Sequence, residues 1–178
     1  MNNIMKTLLL YITSAAILFA NAGAGCGSKS ATVDPQPDGF QSLLGKWQAQ
    51  RATYEVTEQN GNYFESGPDF IKNGVTIIWE FLGDGRLRST VDGKSREVRW
   101  KLNVTRLSGQ NIDLGTLTII GDDERSLAQS LGQTGDLTYN IGTMATGSSG
   151  FAVMYLSADV TSQGPYKKNI LRYTYHKL

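Results

Sequence analysis

The feature that most constrains this fold is the run 96–105, in which polar and apolar side chains alternate from Glu97 to Thr105. Every second residue from Val98 to Val104 is apolar, and the residues between them are charged or polar. A period of two places successive side chains on opposite faces of a β-strand. The run therefore predicts a strand with one face in an apolar core and the other in water.

Similar runs recur along the chain and are separated by glycine-rich turns. Gly-Asp-Gly at 83–85 and Asp-Gly at 92–93 are hairpin signals, and they join residues 74–105 into three successive antiparallel strands. Five further strands are predicted at 46–57, 111–120, 136–145, 150–160 and 168–178. Eight strands at nearly regular spacing predict an all-β domain, either a sandwich or an eight-stranded antiparallel up-and-down barrel.

Three intervals depart from this pattern. Residues 42–45 predict a short helical turn before the first strand. A short helix is predicted at 122–131, where acidic residues come first, Leu127 and Leu131 lie four positions apart, and Gly132 follows. The connection 60–73 between the first two predicted strands is long and carries glycine and aromatic residues, and loops of that length are often functional or mobile.

The N-terminal segment has the composition of an export signal. Lys6 precedes an uncharged, mostly apolar run at 7–20, and small residues at 22–25 lead to Cys26, the only cysteine in the chain. A charge, an apolar run of about 7–15 residues and a small-residue site are typical of a secretory signal peptide. A lone cysteine directly after them resembles the lipid-acceptor residue of bacterial lipoproteins. The alternatives are a retained membrane span, which needs about 20 apolar residues, and ordinary cleavage that leaves a free thiol.

The chain accordingly divides into three parts. Residues 1–25 are the predicted signal peptide, and 26–39 are the lipidated cysteine and a flexible tether whose residues are small, polar and proline-bearing. Residues 40–178 have the length of a single domain with its own core. The resemblance to lipoproteins implies a place in the bacterial cell envelope, as an outer-membrane lipoprotein, and leaves open whether it faces the periplasm or the cell surface.

Charge argues against a nucleic-acid partner. The chain has 17 Lys and Arg and 16 Asp and Glu, and loss of the signal segment removes only Lys6, which leaves a formally neutral domain. Without a basic stripe there is no long-range attraction to nucleic acid. Membrane attachment is therefore expected through acyl chains on Cys26.

Residues for catalysis or metal binding are sparse. His176 is the only histidine, which argues against a two-histidine metal site and a Ser-His-acid triad. The acidic run at 122–124 lacks the ligand spacing of an EF-hand, and a favourable charge at a helix N-terminus explains it more simply than a calcium site. Glu65 and Asp69 could pair as acid and base. We predict a non-enzymatic protein without a cofactor or metal.

Short motifs suggest a family. Gly45-Lys46-Trp47, a Gly-x-Trp at the start of the first strand, resembles the lipocalin signature. The segment 79–85 and the terminal segment 171–178 are similar to bacterial lipocalin-like domains, and the resemblance covers most of 40–178. It implies an up-and-down barrel with a loop over its mouth. It also implies an arginine packed over Trp47, for which Arg172 is the candidate by position. The alternation, however, places Arg172 on the opposite face of the strand from Leu171.

The aromatic residues of the strands offer two interpretations. Core packing is the simpler one. The other is that Trp79, Trp100 and Tyr155 line a cavity for a small apolar or amphiphilic ligand, since an eight-stranded barrel is just wide enough to be filled by side chains or to hold one small molecule. The alternative function is a protein-interaction module of the cell envelope, with a filled barrel and binding through the loops at 60–73 and 161–167.

Overall fold

The computed structural model describes residues 39–66, 69, 71–145 and 151–178. The predictions for residues 1–38, including Cys26, lie outside them. No helix in this part of the chain is long and apolar enough to cross a membrane. The secondary structure is α1 (Phe40–Leu43), β1 (Gly45–Thr57), β2 (Tyr63–Ser66), β3 (Ile77–Phe81), β4 (Arg86–Val91), β5 (Lys94–Ser108), β6 (Asn111–Ile120), α2 (Asp122–Ser130), β7 (Leu137–Ala145), β8 (Ala152–Asp159), a 3₁₀ turn (Thr161–Gln163) and β9 (Lys168–Lys177).

Eight of these strands form a closed antiparallel barrel. From β3 to β9 each strand pairs with the next one in the chain, and β1 pairs with both β3 and β9, which closes the sheet. The predicted eight-stranded up-and-down barrel is confirmed, as is the short helix near 122–131. The helical turn before β1 lies at Phe40–Leu43, slightly earlier than predicted.

Strand β2 was missed in the sequence because its four residues carry no alternation. It pairs with β1 from Tyr54 to Thr57, whereas β3 pairs with β1 only from Gly45 to Gln48. In the gap between β2 and β3 the backbone N–H of Ala52 donates to the Asp69 carboxylate at 3.3 Å. The long connection is thus held against β1 by a strand and by a carboxylate.

The barrel has two ends, which we name by the helix at each. The α1 end holds the start of β1 and the turns at 82–85 and 109–110. The α2 end holds the finish of β1, the connection 58–76, the hairpin turn at 92–93 and the segment 160–167. These positions follow from the antiparallel order, because alternate connections fall at opposite ends.

The α1 end is filled by aromatic side chains. Phe40 of α1 stacks on Trp100 with ring centroids 5.0 Å apart, and Phe81 meets the same indole edge-on at 4.9 Å. Both indole N–H groups at this end are satisfied: Trp47 donates to the Leu43 carbonyl at 2.7 Å and Trp100 to the Arg86 carbonyl at 3.1 Å. Large rings with satisfied donors close this end of the barrel.

The position over Trp47, where an arginine is expected, is occupied by a lysine. Arg172 lies on the outer face, exposed, and pairs with Glu55 at 2.7 Å. Its alternation opposite the inward Leu171 explains why it cannot reach the indole. Lys177 takes that position instead, with Nζ 5.3 Å from the centroid of the Trp47 ring and a hydrogen bond to the Ser42 carbonyl at 3.1 Å. The cation–π contact joins the last strand to β1, and the hydrogen bond joins it to α1.

Candidate functional site

A cluster of aromatic rings lies inside the barrel and continues from the packed α1 end, where Trp79 meets Phe81 edge-on at 6.1 Å. Trp79 of β3 stacks on Tyr175 of β9 at 5.1 Å and lies 6.2 Å from Tyr139 of β7, and Tyr139 meets Tyr173 edge-on at 6.1 Å. Tyr54 of β1 faces the same interior, opposite Leu171 in the ladder. We call these five residues the aromatic cluster: Tyr54, Trp79, Tyr139, Tyr173 and Tyr175.

The bulge in β1 explains why Tyr54 points inward. Trp47 and Ala49 face the interior, and the register with β9 shifts between Ala49 and Arg51. Without the shift, the next inward positions would be Arg51 and Thr53. The extra residue turns Ala52 and Tyr54 to the inner face instead, since a bulge changes which side chains face the core.

The tyrosine hydroxyls of the aromatic cluster lack protein partners. Within the described residues, none of the four hydroxyl groups of Tyr54, Tyr139, Tyr173 and Tyr175 forms a hydrogen bond. Burial is the largest cause that raises the pKa of each of these phenols. They therefore stay neutral at ordinary pH and keep an O–H donor and an acceptor available. A phenol hydroxyl inside the barrel that has no protein partner among the described residues can form a hydrogen bond with water or with a ligand.

The contiguous apolar core does not include every buried residue of the barrel. It contains Trp79, Tyr139 and Tyr175, and six other buried apolar residues stand outside it. Five of them are Ala52, Tyr54, Val56, Val160 and Leu171, and the sixth, Val153, lies near the start of β8. Tyr173 packs against the contiguous core and keeps part of its surface exposed.

Asn169 adds a polar group to the inner face at the α2 end. It precedes Leu171 by two residues and pairs with buried Val56 in the ladder, and it is 4 % exposed. Its Oδ1 is fully buried and has no hydrogen-bond partner among the described residues. A buried amide without partners costs free energy, so its position calls for an explanation.

Helix α2 is attached to the rim of the barrel by an ion cluster. Arg96 of β5 pairs with Asp123 at 2.9 Å and with Glu124. The Glu124 carboxyl is buried, and that burial is the largest cause raising its pKa above the ordinary value, while Arg96 acts in the opposite direction. The acidic run 122–124 thus anchors the helix. The described residues bring together no group of three or more potential metal ligands.

The three predicted lining residues lie in three different places. Trp79 belongs to the aromatic cluster and is 9 % exposed. Trp100 is packed between Phe40 and Phe81 at the filled α1 end, so it does not belong to the aromatic cluster. The assignment of Tyr155 is wrong: it is 44 % exposed on the outer face, between inward Met154 and Leu156.

The other candidate side chains have structural roles. Glu65 pairs with Arg51. Asp69 accepts the backbone N–H groups of Ala52 and Ile71, so it holds its own loop rather than approaching Glu65 as an acid–base partner. His176 lies on the outer face of β9, where its ring stacks on Phe151 at 6.3 Å.

Sequence reasoning missed Asn169 and gave the interior tyrosines only a packing role. The sequence does contain a signal for Asn169. It lies an even number of residues from Leu171, Tyr173 and Tyr175, so it is a polar residue on the apolar face of the strand. The tyrosines of β1 and β7 could be found only with the bulge and the pairing partners known.

Comparison with protein-family models, with curated proteins and with solved structures finds no match for this chain.

Proposed function

We propose that the barrel binds one small amphiphilic molecule at the α2 end of its interior. The observation that carries this proposal is the set of four tyrosine hydroxyls inside the barrel that have no partner among the described residues. Aromatic faces supply apolar burial for the body of the ligand, and the hydroxyls orient its polar atoms. Entry is through the α2 end, because aromatic rings and α1 fill the other end.

The proposal includes attachment to a membrane. The apolar run at 7–20, the small residues at 22–25 and Cys26 support export and lipidation, so the barrel would act on a tether in the bacterial envelope. The motifs at 45–47, 79–85 and 171–178 support a lipocalin-like domain. Incorporation of labelled palmitate into the wild type but not into Cys26→Ala is the expected result, and equal labelling of both would contradict lipidation at that residue.

Ligand binding can be tested with acetophenone, a small aromatic ketone, in titration calorimetry and ligand-observed NMR on the full-length chain. We expect Ser89→Phe to weaken binding at least about tenfold, because Ser89 is an inward residue paired with Trp79 in the ladder and its added ring would occupy the site. The control is Thr90→Phe, the same kind of change one residue further on the outer face. Failure of the wild type to bind, or equal binding by both variants, would contradict the proposal.

A second candidate function rests on the loops at the α2 end. Gln59 donates to the Pro165 carbonyl at 3.2 Å, and Phe64 meets Tyr166 edge-on at 6.4 Å. The two connections therefore form one surface, on which Tyr63 is 60 % exposed. Exposed aromatic residues are enriched in protein interfaces. A stable protein partner that is lost on Tyr63→Ser and Phe64→Ser, with acetophenone binding unchanged, would favour this interaction role.

A further inference from the structure

The side chain of Asn169 is held in a fixed place but has no partner. The Asn169 backbone N–H donates to the Thr161 hydroxyl at 2.9 Å, and its carbonyl accepts from the Val160 N–H at 2.9 Å. This part of β9 also pairs with β1 on one side and with β8 on the other. The backbone groups of Asn169 are thus satisfied, while Oδ1 of its buried carboxamide is not.

The surroundings of Asn169 offer nothing that would replace a partner. Its ladder neighbour Val56 and its inward neighbours Leu171 and Val160 are buried and apolar. None of them can donate a hydrogen bond through its side chain. Such a group is normally hydrogen-bonded or absent from an interior. A ligand with its own donor would remove the cost of burying this carboxamide.

Charge near Asn169 favours a neutral ligand group. Asp159 accepts from the Thr161 backbone N–H at 2.9 Å and from its hydroxyl, and these bonds are the main causes that lower the pKa of the Asp159 carboxyl. The same threonine hydroxyl accepts from Asn169. The exposed Asp159 carboxylate is opposed by Lys168, whose charge also lowers the Asp159 pKa, so this segment places no uncompensated charge beside Asn169. A carboxamide by itself does not neutralise a buried charge.

We infer that Asn169 is the specificity-determining residue of the proposed ligand site, and that it recognises a neutral ligand group in which a donor and an acceptor are adjacent, such as a primary amide or a lactam. A carboxamide offers both a donor and an acceptor and forms a paired hydrogen bond with such a group. Asn169 and Tyr173 share the inner face of β9 and are four residues apart, or about 13 Å along the strand. The amide thus lies near Asn169 while the apolar body extends toward the aromatic cluster.

The inference rests on the proposed function and is tested by two probes of nearly equal shape. Benzamide and acetophenone differ only in an amino group against a methyl group. We expect the wild-type full-length chain to bind benzamide about tenfold more tightly than acetophenone, the effect of one well-formed hydrogen bond in a buried site. Titration calorimetry and competition in ligand-observed NMR give both dissociation constants.

A pair of variants assigns the selectivity to Asn169. Asn169→Leu should lose the tenfold preference, because benzamide loses the hydrogen bond to Oδ1 that acetophenone cannot form. Asn140→Leu makes the same change on the outer face of β7 and should bind both probes as the wild type does. Equal binding of the two probes by the wild type, or a preference that survives in Asn169→Leu, would overturn the inference and leave the proposed function standing. Absence of binding of either probe to the wild type would overturn both.

Discussion

The two ends of the barrel use aromatic residues differently. At the α1 end, Trp47 and Trp100 each have one N–H donor, and each donates to a backbone carbonyl. Further into the barrel, toward the α2 end, the aromatic cluster presents tyrosine hydroxyls that have no partner among the described residues. One end satisfies its polar atoms within the protein and is closed. The other leaves them available, as a binding site would.

The difference also extends to the helices. Helix α1 inserts Phe40 and Leu43 into the barrel, where both are buried. Helix α2 buries Ala128 and packs Leu127 against the core, and ion pairs from Arg96 to Asp123 and Glu124 also hold it at the rim. Large inserted side chains thus hold α1 in place, whereas α2 is held by apolar contacts and ion pairs together.

The largest expected effect is at the filled end. Trp100→Ala should lower the free energy of unfolding by about 3–5 kcal/mol, because it leaves a cavity between Phe40 and Phe81 and removes a hydrogen bond. Tyr155→Ala, on the outer face, should change it by less than about 0.5 kcal/mol. Urea unfolding followed by far-UV circular dichroism measures both. Similar losses in the two variants would contradict the filled-end assignment.

The next effect concerns the attachment of α2. Arg96→Met should lower the free energy of unfolding by about 1–3 kcal/mol, because the buried Glu124 carboxylate loses its cation. Adding Glu124→Gln should restore much of this loss by removing the charge. Arg88→Met is the control, since its pairs with Glu80 and Glu97 lie on the outer face and contribute little. A double variant no more stable than Arg96→Met would contradict the ion-pair role.

The buried Glu124 carboxyl also predicts that the free energy of unfolding depends on pH. Its pKa in the folded chain is raised above the ordinary 4.5, so the folded state binds this proton more tightly than the unfolded state. The corresponding stability is present below the unfolded pKa and is lost as pH rises through the folded pKa. The unfolding free energy of the wild type minus that of Glu124→Gln should therefore fall as the pH rises above the ordinary carboxyl value of 4.5. Urea unfolding across this range tests the sign, and a rising difference would contradict burial as the dominant cause.

The smallest effect is expected inside the α2 end. Tyr173→Phe should change the free energy of unfolding by less than about 0.5 kcal/mol, because the hydroxyl it removes has no partner within the described residues. The same variant should weaken acetophenone binding, since that hydroxyl can donate to the ketone. Chemical denaturation gives the first quantity and calorimetry the second. A loss of more than about 1 kcal/mol would mean that the hydroxyl is satisfied in the folded protein.

The fold was largely predictable because alternation and hairpin turns are local signals. The run at 96–105 lies inside β5, and the turn at Asp92 and Gly93 joins β4 to β5 as expected. Strand β2 was not predictable, because its residues are mostly exposed and it pairs only with the end of β1. Its existence depends on tertiary pairing rather than on its own pattern.

The site was less predictable because it depends on register and filling. The alternation of residues around Trp79 was enough to place it on the inner face. The same kind of alternation places Tyr155 on the outer face once the bounds of β8 are known. Trp100 was correctly inward, but only the position of Phe40 shows that its end is filled. No local pattern reports how a helix packs across the end of a barrel.

The most direct test of a ligand site at the α2 end is intermolecular NMR contact with bound acetophenone. The methyl protons of the probe should give nuclear Overhauser effects to the ring protons of Tyr173 and Tyr175, and none to those of Phe40 and Trp100. Contacts at Phe40 and Trp100 instead, or contacts confined to the outer face near Tyr155, would contradict the assignment of one filled and one ligand-binding end.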